Sequence, residues 1–271
     1  MFWHGAPLSR IEQLSMVSFI ANGHRVELHV YEAPRDVPPD IEIVDATSVL
    51  PRSALFTHQR TGSPGPFADW FRYRLLHQRG GIWADTDVVC LRPLDYDDPV
   101  VFGWEDARYL NTAVLGLPAG HALAAWMAEA CANPNQIHPY DAWSRRLRKL
   151  VRHHLLGNRR DHIRWGEYGP KGITHAARYF DLLDRAKPVD HFYPVTCERW
   201  HSMFEGAQAS SISGAQLPIA SRTVHLWHAM MLSRPGFDKN AAFAADSPFE
   251  ALCRRYGQNR RESDSDALSM S

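Results

Sequence analysis

Asp85-Thr86-Asp87 sets two carboxylates one residue apart, a spacing that lets both reach a single hard cation. Magnesium and manganese take oxygen ligands in octahedral geometry, so such a pair can collect either. The spacing recurs at Asp95/Asp97 and Asp264/Asp266. The second pair lies in an acidic turn, Asp95-Tyr96-Asp97-Asp98-Pro99, and reads as a solvated loop; the third falls in a polar C-terminal stretch. Context separates the first. It follows Gly80-Gly81 and a short apolar run, Ile82-Trp83-Ala84, which puts the carboxylates at a strand end, where open α/β sheets bind ligands. Upstream, Asp69 and Arg72 stand three residues apart and share a helical face. Two readings are open for them: a surface ion pair worth about 0–1 kcal/mol, or two groups that point into the site and grip polar substituents of a ligand.

The segment that joins these residues runs Phe67-Ala68-Asp69-Trp70-Phe71-Arg72-Tyr73-Arg74-Leu75-Leu76-His77-Gln78-Arg79-Gly80-Gly81-Ile82-Trp83-Ala84-Asp85-Thr86-Asp87. It resembles the signature of DXD-containing sugar-nucleotide glycosyltransferases. That group includes yeast initiating α-1,6-mannosyltransferases, bacterial capsule and lipopolysaccharide transferases, clostridial glucosylating toxins and α-1,4-galactosyltransferases. Shorter matches extend the likeness. Phe2-Trp3-His4-Gly5 resembles a strand end whose tryptophan stacks on the nucleotide base, and Asn111-Thr112-Ala113-Val114 resembles a segment whose asparagine faces the donor sugar. Tyr168-Gly169-Pro170 resembles a loop beside the acceptor, and His225-Leu226-Trp227-His228 a C-terminal element near the pyrophosphate, with His228 where the family has Asn or Asp.

The resemblance implies a GT-A-like nucleotide-diphospho-sugar transferase fold and a retaining transfer. The donor would be a UDP- or GDP-linked hexose and the acceptor a glycan or lipid-linked glycan, in polysaccharide biosynthesis. It implies Mn2+ or Mg2+ held by Asp87, with Asp85 either a ligand or a contact to ribose, sugar or metal-bound water, and with His228 as a candidate third ligand or phosphate contact. Asp69 and Arg72 would orient sugar hydroxyls, Trp3 would stack on the base, and Trp83, Asn111 and Trp227 would line the donor. His225 is a second candidate near the motif. No residue presents itself as a covalent nucleophile. A phosphate-processing metalloenzyme and a non-enzymatic saccharide-binding module are the competing readings.

The elements that must position these residues are legible. Ser9-Arg10-Ile11-Glu12 is a capping box, in which serine and glutamate satisfy the first amides of a helix. Ile11, Leu14, Val17 and Ala21 follow at helical spacing, and Asn22-Gly23 closes the helix. Val26, Leu28 and Val30 alternate as a strand, and Ile41–Val44 reads as another. A helix over 67–79 stops at Gly80-Gly81, strands follow near 82–84, 88–91, 100–104 and 111–117, and helices near 121–131, 142–156 and 175–185. Ser247-Pro248-Phe249-Glu250 predicts a second capping box, for a helix ending at Gly257. The pattern predicts an α/β fold with a mainly parallel twisted sheet flanked by helices. One domain over 1–257 and a tail over 258–271 are expected.

Composition bounds the rest. With 271 residues, 30 Lys+Arg against 30 Asp+Glu and 45% hydrophobic residues, the chain is an ordinary globular one, which excludes disorder and a polybasic nucleic-acid binder. The most apolar stretch, Thr112–Ala130, is broken by Gly116, Pro118, Gly120 and His121 and is not a membrane span. Four scattered cysteines and an N-terminus without a basic-then-apolar leader predict a cytoplasmic protein with reduced thiols. The neutral total hides one extreme: Ser144–Arg160 carries seven Arg/Lys, two His and no acid, with Leu147, Leu150, Val151 and Leu155 as an apolar stripe. Either the stripe packs and leaves a solvated basic face, or the helix lies on an anionic membrane surface, the inner face, beside a lipid-linked acceptor.

Overall fold

Strand β1 (Phe2–Trp3) and helix α1 (Arg10–Ala21) open the chain. The computed structural model describes residues 1–5, 7–206 and 217–257; Asp264, Asp266 and the stretch 258–271 lie outside them. The Ser9 capping box forms as expected, Glu12 accepting the Ser9 amide at 2.7 Å and Ser9 Oγ accepting the Ile11 amide at 3.3 Å. Strands β2 (Val26–Val30) and β3 (Ile41–Asp45) pair in parallel with β1 in the order β1-β2-β3. Phe2 lies opposite His29, and Val30 opposite Asp45.

Helix α2 (Gly65–Arg79) follows, with Pro66 in its first turn, where a missing N–H costs nothing. It buries Phe67, Trp70, Phe71 and Tyr73 and ends at Gly80. Only glycine serves there: φ is 67°, and a Cβ would stand 2.5 Å from the Ala119 amide nitrogen. Strands β4 (Gly81–Ala84), β5 (Val88–Cys90), β6 (Val101–Trp104) and β7 (Leu110–Leu117) come next. β4 and β6 flank β7, both antiparallel to it. β5 pairs antiparallel with β8 (Thr223–His225). The parallel arrangement expected from the sequence therefore holds for the first three strands, while the pairings around Asp85–Asp87 are antiparallel. The α/β class stands.

Helix α3 (Ala122–Ala132) packs against α2 over a core of Phe67, Phe71, Leu76, Leu123 and Met127. Each such side chain contributes about 1.5–3 kcal/mol when fully buried. Helix α5 is Pro170–Tyr179 rather than 175–185. Pro170 sits at the start, where its fixed φ suits a first turn, and Asp181 at φ 56° breaks the helix, leaving a short turn at Leu183–Arg185. The helix over 248–257 forms, but its capping box is half made. Ser247 Oγ accepts the Glu250 amide at 3.3 Å, whereas the Glu250 carboxylate binds Arg10 and the Phe243 amide. The four cysteines are free.

Helix α4 (Trp143–Leu155) has the expected amphipathic period, and its apolar stripe faces outward. Lys149 is its buried residue. Leu147, Leu150, Val151 and Leu155 of the stripe are exposed, and so is Trp143. Lys149 Nζ donates to Asp141 at 2.7 Å and to the Gln136 carbonyl at 2.8 Å, and this buried pair decides which face turns inward.

Candidate functional site

The turn Asp85–Asp87 is the seam between two sheets. Asp85 N–H donates to the Ala113 carbonyl at 2.8 Å, extending the β4–β7 ladder; Leu226 N–H donates to the Asp87 carbonyl at 2.9 Å, extending β5–β8. One turn thereby meets the start of β7, with Asn111 and Thr112, and the end of β8, with His225. Asp85 keeps 30% of its side chain exposed, so the seam opens to solvent.

Arg72 is buried beneath it at 4% exposure. Its guanidinium donates to Asp69 at 2.9 Å, to Asp85 at 2.6 Å and to Thr112 Oγ1. Its Cζ lies 4.9 Å from the centre of the Trp83 ring, and Trp83 Nε1 donates to the same Asp85 oxygen at 2.5 Å. Asp69 and Arg72 are thus joined to Asp85 in one cluster and are no surface pair. Burial pushes the Asp69 carboxyl up to about 6, against the pull of Arg72 and with help from Asp85. Arg72 lies above its ordinary value: burial opposes its charge, and Asp85 and Asp69 outweigh that.

Asp87 is buried, and its Oδ2 takes the His228 amide at 2.6 Å and faces His225 Nε2 at 3.1 Å. Burial alone would raise its pKa; the two histidines beside it hold the carboxyl below the usual range. For His225, burial opposes the charge and Asp87 restores it, leaving the ring above its ordinary value. Trp227 makes this geometry. It stands at φ 62°, ψ 58°, left-handed for a bulky residue, and so turns the main chain of His228 onto Asp87. Its indole N–H is committed to the Val195 carbonyl at 2.8 Å and its ring lies 4.1 Å from that of His225.

Asp85, Asp87 and His225 each offer a ligand atom, all within 4.8 Å of one another. Two carboxylates and an imidazole suit manganese-type cations better than calcium. Nδ1 of His225, Nε2 of His228 and Nε of Arg72 are buried without a hydrogen-bond partner, so the cluster has capacity left. These residues fit a divalent ion. His228, the expected candidate, presents its amide to Asp87, and its ring stacks on Trp3 with centroids 6.3 Å apart.

The remaining candidates divide. Asn111 is buried, donating to Glu105 at 2.8 Å and accepting the Ala113 amide at 2.7 Å. Gly169 brings the Tyr168–Pro170 loop to Asp69: a Cβ there would lie 3.5 Å from Asp69 Oδ2. Tyr73 fixes the loop by donating to the Tyr168 carbonyl at 2.7 Å. Two groups escaped the sequence reading. Glu105, raised by burial and lowered in part by His225, reaches the site through its hairpin. Lys239 holds its ammonium 5.3 Å from the Trp3 ring centre and pairs with Glu12 at 2.7 Å. Neither carries a motif that marks it in sequence.

Residues 29–102 match the family described as the glycosyltransferase sugar-binding region containing DXD motif. That stretch is similar to the sugar-binding region the family describes. Asp69, Arg72, Trp83, Asp85 and Asp87 lie inside it, and β7, the Tyr168–Pro170 loop and β8 supply the rest from outside. Two curated proteins named lactosylceramide 4-alpha-galactosyltransferase are similar. The one from Rattus norvegicus is 25% identical over 172 residues, 59% of this chain and 40% of that protein. The one from Mus musculus is 25% identical over 173 residues, with the same coverage of 59% and 40%. The chain thus spans well under two thirds of either. A solved structure named PaToxG Glycosyltransferase aligns with 93% of this chain and 83% of its own, at 12% identity and a TM-score of 0.44.

Proposed function

We propose that this chain is a metal-dependent, retaining glycosyltransferase that moves a hexose from a UDP- or GDP-linked donor to a glycan or lipid-linked acceptor, in polysaccharide assembly. The observation that carries the reading is the convergence of Asp85, Asp87 and His225 within 4.8 Å beside the ion pair of half-buried Asp69 with buried Arg72. The curated relatives' name pairs a galactosyl group with a glycolipid, which supports a hexose donor and includes a lipid-linked acceptor.

A divalent ion held by Asp85, Asp87 and His225 supplies, when bound, Lewis-acid stabilisation of the charge that develops on the diphosphate. The chain's own groups supply alignment. Asp69 and Arg72 hold sugar hydroxyls in a fixed pose, which lowers the entropic part of the barrier. Trp3 offers a ring to the base, and Lys239 a positive charge to the phosphates. The acceptor oxygen bonds to the anomeric carbon as the bond from that carbon to the phosphate oxygen breaks. The acceptor's proton passes to the departing phosphate oxygen, so no side chain acts as base.

Incubation with manganese and a panel of nucleotide sugars tests this by mass spectrometry of the products. Free hexose and nucleoside diphosphate should accumulate slowly, and chelation should stop them. Asp87→Ala should remove activity by about 10²-fold or more. Asp85→Asn, which keeps the shape of the turn, should do the same without a lower melting temperature. A full-activity Asp85→Asn, release of nucleoside monophosphate without free sugar, or glycan binding that ignores nucleotide and metal would each sink the proposal.

A further inference from the structure

We infer that helix α4 is an interfacial docking element that lies on a bilayer containing anionic lipid, its apolar face in the headgroup boundary. Successive helical residues turn by about 100°. On that wheel Trp143, Leu147, Leu150, Val151 and Leu155 share one side, with Ser144 and His154 among them, and Arg145, Lys149 and Arg152 the other. An amphipathic helix of a soluble protein buries the first kind of face. Here Trp143 is 77% exposed, Leu147 54% and Leu155 75%, while Lys149 is 5% exposed.

The orientation is built. Asp141, with no side-chain exposure, binds Lys149 at 2.7 Å through one oxygen and faces Arg145 at 3.4 Å through the other. Arg146 adds a bond to the Asp141 carbonyl at 2.9 Å. Turning the apolar face inward would strand Lys149 and Asp141, a cost of several kcal/mol for a buried charge left unpaired. The exposed leucines are therefore the product of a specific set of ion pairs.

Charge complementarity selects the occupant. Arg146 and Arg148 fall on the two borders of the apolar face, and Arg148 and Arg152 make no ion pair among the described residues. No acid occurs from 144 to 160. An apolar face with a tryptophan at one end and arginines along both edges matches acyl chains below and lipid phosphates beside. No described helix is long and apolar enough to cross a membrane, so the contact is peripheral. The helix also reaches the loop before α5: Asp141, Arg145 and Lys149 line a small cavity with Glu167 and Tyr168, and the neighbouring Gly169 faces Asp69. Docking would hold the donor site beside a lipid-linked acceptor. That last clause rests on the transferase reading; the docking itself does not.

The whole chain is sedimented with vesicles of phosphatidylcholine alone and of phosphatidylcholine mixed with phosphatidylglycerol. Binding should require the anionic lipid, weaken as salt rises, and fall about tenfold or more in the double variant Leu147→Glu/Leu150→Glu. Both positions are solvent-exposed, so the variant should melt with the wild type. Arg148→Gln, at a position outside the Asp141 cluster, should weaken the preference for anionic lipid. Indifference to vesicles, equal binding of the leucine variant, or a concentration-dependent dimer that the leucine variant abolishes would overturn docking, the last by assigning the face to a second copy. Hydrolysis of a soluble donor by the leucine variant should match the wild type. Vesicle binding without any donor hydrolysis would overturn the transferase reading and leave docking intact.

Discussion

Two buried ion clusters organise this molecule, and they differ in what they leave over. Around Lys149, both Asp141 oxygens are occupied, one by Lys149 and the His138 amide, the other by Arg145, while Lys149 also reaches the Gln136 carbonyl. Around Arg72, the guanidinium joins Asp69, Asp85 and Thr112, yet Arg72 Nε stays unpartnered, as do His225 Nδ1 and His228 Nε2 beside it. A saturated cluster can only position an element. An unsaturated one beside a solvent-facing turn has bonds to offer a ligand, because a buried polar group without a partner costs about 1–3 kcal/mol that binding can recover.

Breaking the saturated cluster should have the largest effect on stability. Asp141→Ala leaves Lys149 buried without its counter-charge, and should cost about 3–5 kcal/mol in urea unfolding. It should also abolish vesicle binding by freeing α4 to rotate, with donor hydrolysis little changed below the melting temperature. A loss under about 1 kcal/mol would show that the pair does not hold the helix.

The corresponding change in the open cluster should move function more than stability. Arg72→Lys keeps one positive charge but cannot span Asp69, Asp85 and Thr112 together. Donor turnover should fall by about 10²-fold, with a smaller shift in melting than Asp141→Ala produces. Equal losses of turnover and stability would erase the distinction drawn between the clusters.

The sequence carried the parts whose physics is local. The Ser9 cap, the α2 stop at Gly80 and the grouping of Asp69, Arg72, Asp85 and Asp87 depend on spacing and on glycine's freedom, and all are present. Several histidines also find local work: His24 accepts the Leu94 amide at 2.9 Å, and His121 caps α3 through the Leu123 amide at 3.2 Å. What was hidden depends on long-range partners. Which ring of His225-Leu226-Trp227-His228 joins the carboxylates is set by the left-handed Trp227, a conformation no motif encodes for tryptophan. The direction of α4 is set by Asp141, outside the helix whose period announces two faces but not which is inward. Glu105 reaches the site only because β6 and β7 pair.

The smallest expected effect concerns the proton on Asp69, and it separates the clusters by pH. Burial, partly offset by Arg72, raises this carboxyl from 3.8 to about 6. Between those values the folded chain holds more protons than the unfolded one, so Asp69's contribution to stability declines as pH rises through that window and is constant above it. Function should run the other way. Protonation removes the charge that shares Arg72 with Asp85, so donor turnover should fall as pH drops through about 6. The loss should be about tenfold one unit below that value and slight at neutral pH. Asp69→Asn should lower turnover at pH 7 and flatten this acid limb, while vesicle binding by α4, which does not involve Asp69, keeps its own pH dependence. An acid limb that persists unchanged in Asp69→Asn would assign it to another group and leave Asp69 as a packing partner of Arg72 alone.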